Sequence, residues 1–401
     1  MPPVALTPPD PSKPSPILPF DLLRLIALFL VPPSPSSSSS VSLAPLLPLA
    51  LTCRDLLPPM QWLLFESLTV GPLWRRGDKR KLEAVKRVRR LRSCVGEVKW
   101  DLADRDEDRD WAALELEEGY WRFFLERCEN LKRVQVVRFS TSFLLDLSGR
   151  LGSAPSRSSL RTLVLDLDTQ SRSTNPLEAA SKLVDLLAHL PSLRSLFLPT
   201  SFTTSLSLAE TLRTVPRELI TDIEDYIPLR EPVLPSPHPP PPLGRLPALI
   251  SLTLRLSHAH TALKLSFLAL FPTLTSLTLL APSDVHTSGA PFPLFTHLAA
   301  LPPAFPLLPA LHTLSLFPDL LQPSSPPPTP LAAALSSATA PARAAWPAFL
   351  SAFPRSVRVL ELPVNVSEKD YRALTGGRGA WRYLRRTVCF IEGRVRVASR
   401  A

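Results

Sequence analysis

The sequence predicts an α/β fold: a short N-terminal helical unit, then an irregular solenoid of parallel strands with helices on its convex side. Three observations predict it. First, the hexad L-x-x-L-x-L recurs as Leu131–Val136, Leu160–Leu165, Leu193–Leu198, Leu249–Leu254, Leu274–Leu279, Leu311–Leu316 and Val357–Leu362, with a looser copy at Val95–Trp100. Second, several copies follow a helix-like stretch that ends in proline. Third, a leucine-dense segment with helical spacing precedes them all. First positions of successive hexads lie 36, 29, 33, 56, 25, 37 and 46 residues apart. A period of roughly 20–50 residues marks stacked units, none of which can bury its apolar side alone. The 56-residue gap, twice 28, leaves room for one degenerate repeat between Leu198 and Leu249.

Composition sets the bounds. The chain has 401 residues, enough for one extended solenoid or two to three compact domains. Hydrophobic residues make up 45%, so a sizeable core is available, while 48 prolines against 12 glycines favour short elements and stiff turns. The net charge of +10 gives salt-sensitive attraction to polyanions and says nothing of fold. Cys53, Cys94, Cys128 and Cys389 lie far apart without nearby histidines, which argues against a zinc site and a disulfide framework. The first residues lack the basic-then-apolar order of a signal peptide. Leu22–Val31 is about half the ~20 residues of a membrane span. A cytoplasmic or nuclear protein without membrane contact is expected.

The elements follow in order. Residues 1–16 are proline-rich and predict a disordered leader. Residues 17–70 are the helical unit. Asp21 caps a helix with Leu22, Leu25, Ile26, Phe29 and Leu30 on one face, Pro32–Ser40 interrupts, and Leu43–Leu57 and Met60–Val70 supply two more apolar stretches. Residues 71–93 are a basic connector. Leu82, Val85, Val88 and Leu91 recur every third residue among its cations, which predicts an amphipathic helix. Its charged face has three open readings: a localisation signal, a phosphate-binding patch or a solvated surface. Asp101–Glu118 is acidic, but Arg109 stands where a calcium loop needs glycine, so a solvated loop is expected.

Residues 94–365 hold the solenoid. The helix-to-strand unit is plainest at Leu177–Leu198, Ala262–Leu279 and Ala344–Leu362, with Pro191, Pro272 and Pro354 at the joints. Proline there stops the helix and pushes the preceding residue into extended geometry. Residues 232–242 and 318–345 are Pro-rich insertions between repeats. Asn365 sits where an asparagine ladder would run, although no other repeat carries one. Residues 366–401 form the C-terminal cap. Ser367-x-x-Asp370 opens a helix that Gly376 ends, and Thr387–Val397 is a hairpin turning at Glu392-Gly393.

Leu18-Pro19-x-Asp21-Leu22, then Ile26 and Leu30, then Leu46–Ala50, Cys53-Arg54, Leu63, Phe65, Ser67 and Leu68 resemble an F-box. That motif runs approximately L-P-x-E-L-hh-x-I, then L-x-L-A-x-h-C-R, then a closing apolar run. Asp55-Leu56-Leu57 stand where a tryptophan often follows, and the Pro/Ser insertion lengthens the first loop. The hexads resemble the leucine-rich repeats that commonly follow F-boxes in fungal proteins. The resemblance implies a substrate receptor of an SCF-type cullin-RING ubiquitin ligase. Leu18, Pro19, Leu22, Ile26, Leu46, Leu49, Cys53 and Arg54 would then lie at or behind the interface with a Skp-type adaptor, itself held by a cullin scaffold. A leucine-dense segment this short has too little chain to bury all its apolar side chains, and exposed apolar faces usually mean a partner. Two alternatives stay open: a leucine-rich scaffold whose helical start is only a cap, and a nuclear or nucleic-acid-associated protein using the basic stretch 75–92.

Nothing in the chain points to catalysis, a cofactor or a metal. Thr375–Gly379 lacks the Gly-Lys-Ser/Thr ending of a phosphate loop and reads as a turn. His258-x-His260 has no third ligand at a persuasive spacing, and no nucleophilic set is marked. The expected partner is a protein rather than a membrane or nucleic acid. Strand period two puts alternate hexad residues on the concave face: Arg133/Gln135, Thr162/Val164, Ser195/Phe197, Ser251/Thr253, Ser276/Thr278, Thr313/Ser315 and Val359/Glu361. Target contacts are expected from Arg133, Gln135, Thr162, Ser195, Phe197, Thr253, Thr278, Ser315 and Glu361. Phe197 is the aromatic anchor among them.

Overall fold

Each hexad becomes one strand of a single sheet. In the computed structural model, the described residues are 57–70, 76–101, 123–139, 158–167, 183, 186–199, 248–256, 263–282, 294–322, 325 and 327–400. The strands are β1 (Ser67–Val70), β2 (Glu97–Asp101), β3 (Arg133–Phe139), β4 (Thr162–Leu167), β5 (Ser195–Pro199) and β6 (Ser251–Arg255), then β7 (Ser276–Leu280), β8 (Thr313–Leu316), β9 (Val359–Val366), β10 (Arg386–Ile391) and β11 (Arg394–Ser399). They pair in strict chain order. β1 to β10 run parallel, and only β11 turns back, antiparallel to β10.

Alternation explains why this sheet holds. Val98, Val134, Leu163, Leu196, Leu252, Leu277, Leu314 and Leu360 occupy one register row across eight strands, none more than 2% exposed. The last leucine of the hexad forms a second buried row, and the first leucine, just ahead of each strand, a third. Each fully buried leucine side chain stabilises by about 1.5–3 kcal/mol relative to exposure. A parallel pair needs a crossover, and the crossovers cover this apolar face.

The crossover elements are short, as the proline content dictates. α1 (Leu57–Phe65) leads into β1. α2 (Arg76–Arg87) and α3 (Arg89–Arg92) join β1 to β2. A 3-10 turn, Ser266–Leu270, precedes β7, and α4 (Leu294–Leu298) precedes β8. α5 (Leu331–Ser337) and α6 (Ala340–Ala352) precede β9, and α7 (Glu368–Thr375) precedes β10. At the C-terminal end aromatics seal the stack. Trp346 lies 5.9 Å from Phe349 and, edge-on, 6.2 Å from Trp381.

Several expectations are corrected. The sheet begins at Ser67, within the stretch ascribed to the helical unit, because Leu68 and Val70 already pair with Val98 and Trp100. Residues 71–93, expected as a connector, hold the first crossover instead: Leu82, Val85 and Leu91 are buried in the common core. The helix there breaks at Val88, which is extended and 37% exposed. β5 pairs directly with β6, so a repeat within the 56-residue gap adds no strand between them in this sheet, and residues 200–247 lie outside the described residues. The insertion 318–345 is not structureless. It contains a 3-10 turn, Pro318–Leu321, all of α5 and the start of α6.

The C-terminal reading matches. Ser367 caps α7 by accepting the Asp370 N–H at 3.1 Å, and Gly376 follows its last residue. Glu392 (φ 51°) and Gly393 (φ 77°) make the β10–β11 turn, the paired positive φ angles that suit a two-residue hairpin. At Gly379 a Cβ would sit 2.3 Å from the Leu374 carbonyl oxygen, so the glycine-rich stretch is a tight turn.

Candidate interaction surface

The face away from the core is built from two register rows. The first runs Glu97, Arg133, Thr162, Ser195, Ser251, Ser276, Thr313 and Val359. The second runs Lys99, Gln135, Val164, Phe197, Thr253, Thr278, Ser315 and Glu361. All the expected target-contact residues therefore share one face. Their surroundings differ along it. Arg133 is exposed and pairs with Glu97 at 3.1 Å, which neutralises the basic end. Phe197 is half-buried beside Val164 and Thr253, and the Arg255 guanidinium lies 5.4 Å from its ring centroid. That cation–π contact gives the aromatic a polar rim.

The other end of the face is covered. Ser315 is only 7% exposed. Leu321, from the 3-10 turn after β8, clusters with Val388 and Phe390, apart from the main core. Val388 pairs with Glu361, so this small cluster sits on the open face rather than under it. Asn365 completes the cover. Its Nδ2 donates to the Pro328 carbonyl at 3.1 Å and its Oδ1 accepts the Gly393 N–H at 3.0 Å. The lone asparagine thus ties the insertion, β9 and the terminal turn together. The insertion 318–345 thus packs on the sheet, and the free access expected for Ser315 is overturned.

A second feature lies at the edge where β3, β4 and β5 begin. Lys132, Arg161, Arg194, Ser158, Ser159 and Ser192, with Asn130, line a pocket of about 250 Å³. The three cations occupy the second hexad position of consecutive repeats. The alternating strand pattern does not single them out, because these residues precede the strands. The signal was the column K, R, R at one position of three successive hexads.

The adaptor-facing residues Leu18, Pro19, Leu22, Ile26, Leu46, Leu49, Cys53 and Arg54 lie outside the described residues, as do His258, His260 and most of the acidic stretch. Burial pushes the thiols of Cys128 and Cys389 up to about 12, the first against a smaller opposing pull from Arg92. Both thiols are buried, so neither is a thiolate near neutrality. Among the described residues, no group of three His, Cys, Asp or Glu side chains is placed to hold a metal ion. No described helix is long and apolar enough to cross a membrane. In comparisons with known proteins, the chain matches no family model and no curated sequence.

Proposed function

We propose that this chain is a protein receptor: the open face of its solenoid holds a target while its N-terminal segment docks a Skp-type adaptor of an SCF-type ubiquitin ligase. The observation that carries the receptor reading is the pair of register rows. Among the described residues, the sheet face that carries these rows stays partly exposed from β2 to β7, Val164 excepted, and it is hydroxyl-rich, with a half-buried aromatic near its centre. Parallel sheets are ordinarily covered on both faces, so an uncovered one invites a partner. Solenoids bind along such surfaces. The ligase half rests on the F-box resemblance of residues 17–70.

One observation favours the plainer alternative, a scaffold whose helical start is only a cap. α1 packs against β1 and α3, and Phe65 joins the common core, so at least this helix serves the solenoid. Co-expression with a Skp-type adaptor separates the two. Ile26→Asp puts a charge on the apolar stripe of the helix expected from Leu22 to Leu30, and an unpaired carboxylate at an interface costs several kcal/mol (about 3–5). The expected outcome is capture of the adaptor by the native chain and none by a folded Ile26→Asp variant. Equal capture by both, or capture by neither, leaves the scaffold.

A further inference from the structure

The backbone ladder ahead of the strands aligns the second hexad position into a column. Lys132 O accepts the N–H groups of Arg161 and Thr162 at 2.8 and 2.9 Å. Arg161 O accepts those of Arg194 and Ser195 at the same two distances, and Arg194 O those of Ile250 and Ser251 at 2.8 and 3.0 Å. The column therefore reads Lys132, Arg161, Arg194, Ile250, Thr275, His312, Arg358 and Arg385: three consecutive cations, a break that begins at the apolar Ile250, and two arginines at the far end. Neighbouring strands are ~4.8 Å apart. Cations on neighbouring strands are thus stacked within a Debye length of about 8 Å and repel one another until an anion sits among them.

Among the described residues, no carboxylate lines this pocket. The nearby Arg133 is already paired with Glu97. The side chains of Lys132 and Arg161 make no hydrogen bond or ion pair with another described residue, whereas Arg194 Nη1 donates to the Ala248 carbonyl at 3.3 Å. Ser159 and Asn130 are tied to backbone carbonyls, Ser159 Oγ to Leu131 O at 2.9 Å and Asn130 Nδ2 to Ser93 O at 3.0 Å, which fixes the walls. Two guanidiniums, an ammonium and a serine-rich rim form a donor set for a tetrahedral anion.

We propose that this pocket binds the phosphoryl group of a phosphorylated serine or threonine in the protein target. The proposal rests on the receptor reading above and deepens it. The size of the pocket argues against a nucleotide or organic cofactor, whose clefts run about 300–1,000 Å³. The charge argues against nucleic acid: a column of three cations stops at an apolar residue, whereas a strand of phosphates needs a longer basic track. Nor, among the described residues, does any aromatic ring line the pocket for a base to stack on. Ile250, the next member of the column, is 45% exposed and offers an apolar contact to the residue flanking the phosphate.

The test uses the full chain and four probes: a degenerate peptide pool with a fixed central phosphoserine, its unphosphorylated twin, inorganic phosphate, and a single-stranded oligonucleotide. Fluorescence anisotropy should show the phosphorylated pool binding at least about tenfold tighter than its twin. Arg161→Ala, and Lys132→Ala with Arg194→Ala, should abolish that difference with an unchanged melt. Arg343→Ala, which removes one exposed cation from α6, should preserve it. Equal binding of the two pools, or a difference that survives Arg161→Ala, overturns the proposal. So does tighter binding of the oligonucleotide through the same residues, or displacement by inorganic phosphate as effective as by the peptide. Adaptor capture on the same variants separates the two readings. Discrimination without adaptor capture sinks the ligase role alone, and capture without discrimination sinks the pocket alone.

Discussion

At the scale of single residues, Asn365 shows how one side chain can hold distant parts of a chain together. It lies on the open-face side of β9 yet is only 9% exposed, because the insertion after β8 passes over it. Removing its amide leaves the Pro328 carbonyl and the Gly393 N–H without these partners. A buried polar group left unsatisfied costs about 1–3 kcal/mol. Asn365→Ala should therefore lower the melting temperature by several degrees, and Asn365→Asp, which keeps the acceptor for Gly393 but loses the donor to Pro328, should fall between. A thermal denaturation series of the three proteins checks this. A melt unmoved by Asn365→Ala would mean that water replaces both bonds. In the sequence this residue stood out only as an asparagine with no ladder to join. Its two partners come from segments 28 and 37 residues away, which no local pattern reveals.

Among the elements, the insertion at 318–345 carries the sharpest contrast between sequence and structure. Its prolines suggest a tract that buries nothing, and a loop's length by itself changes closure entropy only slowly. The structure assigns it two jobs: Leu321 covers Val388 and Phe390, and Leu331, Ala334 and Leu335 of α5 pack on the core. α6 likewise accommodates two prolines. Pro341 falls in the first turn, where a missing N–H costs little, whereas Pro347 is interior and costs ~3 kcal/mol. Burial of Trp346 and Phe349 offsets it. Deleting 323–330 should hence lower the melting temperature by several degrees, because it removes the Pro328 acceptor and pulls α5 off its seat. Circular dichroism melts decide, and an unchanged transition would show the cover to be dispensable. The strands and the terminal hairpin were legible in the sequence because a period-two pattern and a Glu-Gly turn are local signals. The order of the sheet was legible only up to the long gap, where Leu198 and Leu249 leave no trace of being neighbours. Lys132, Arg161 and Arg194 were readable in principle, but only once the hexads are stacked in register.

For the whole molecule, the consequence of strict strand order is that each repeat touches little beyond its neighbours. The stability of such a stack is a sum of local terms and interfaces rather than one global property. Leu252 illustrates it: fully buried, it sits between Leu196 on β5 and Leu277 on β7. Truncating a buried leucine to alanine costs about 2–5 kcal/mol, the spread reflecting how far the site can collapse. In a compact domain that loss would lower the protection of every slowly exchanging amide. Here Leu252→Ala should speed amide exchange in β5, β6 and β7 while leaving β9 and β10 near their native rates, since those are tied to one another and to the terminal hairpin. Hydrogen–deuterium exchange read by peptide mass spectrometry measures it directly. Uniform acceleration along the sheet would mean that the repeats unfold as one unit, and that the aromatic seal around Trp346 and Trp381 stabilises the whole stack. A graded loss centred on β6 would instead place the pocket at β3 to β5 and the cover at β8 to β10 in separable units. A target bound at one end would then stiffen its neighbours without reordering the far end.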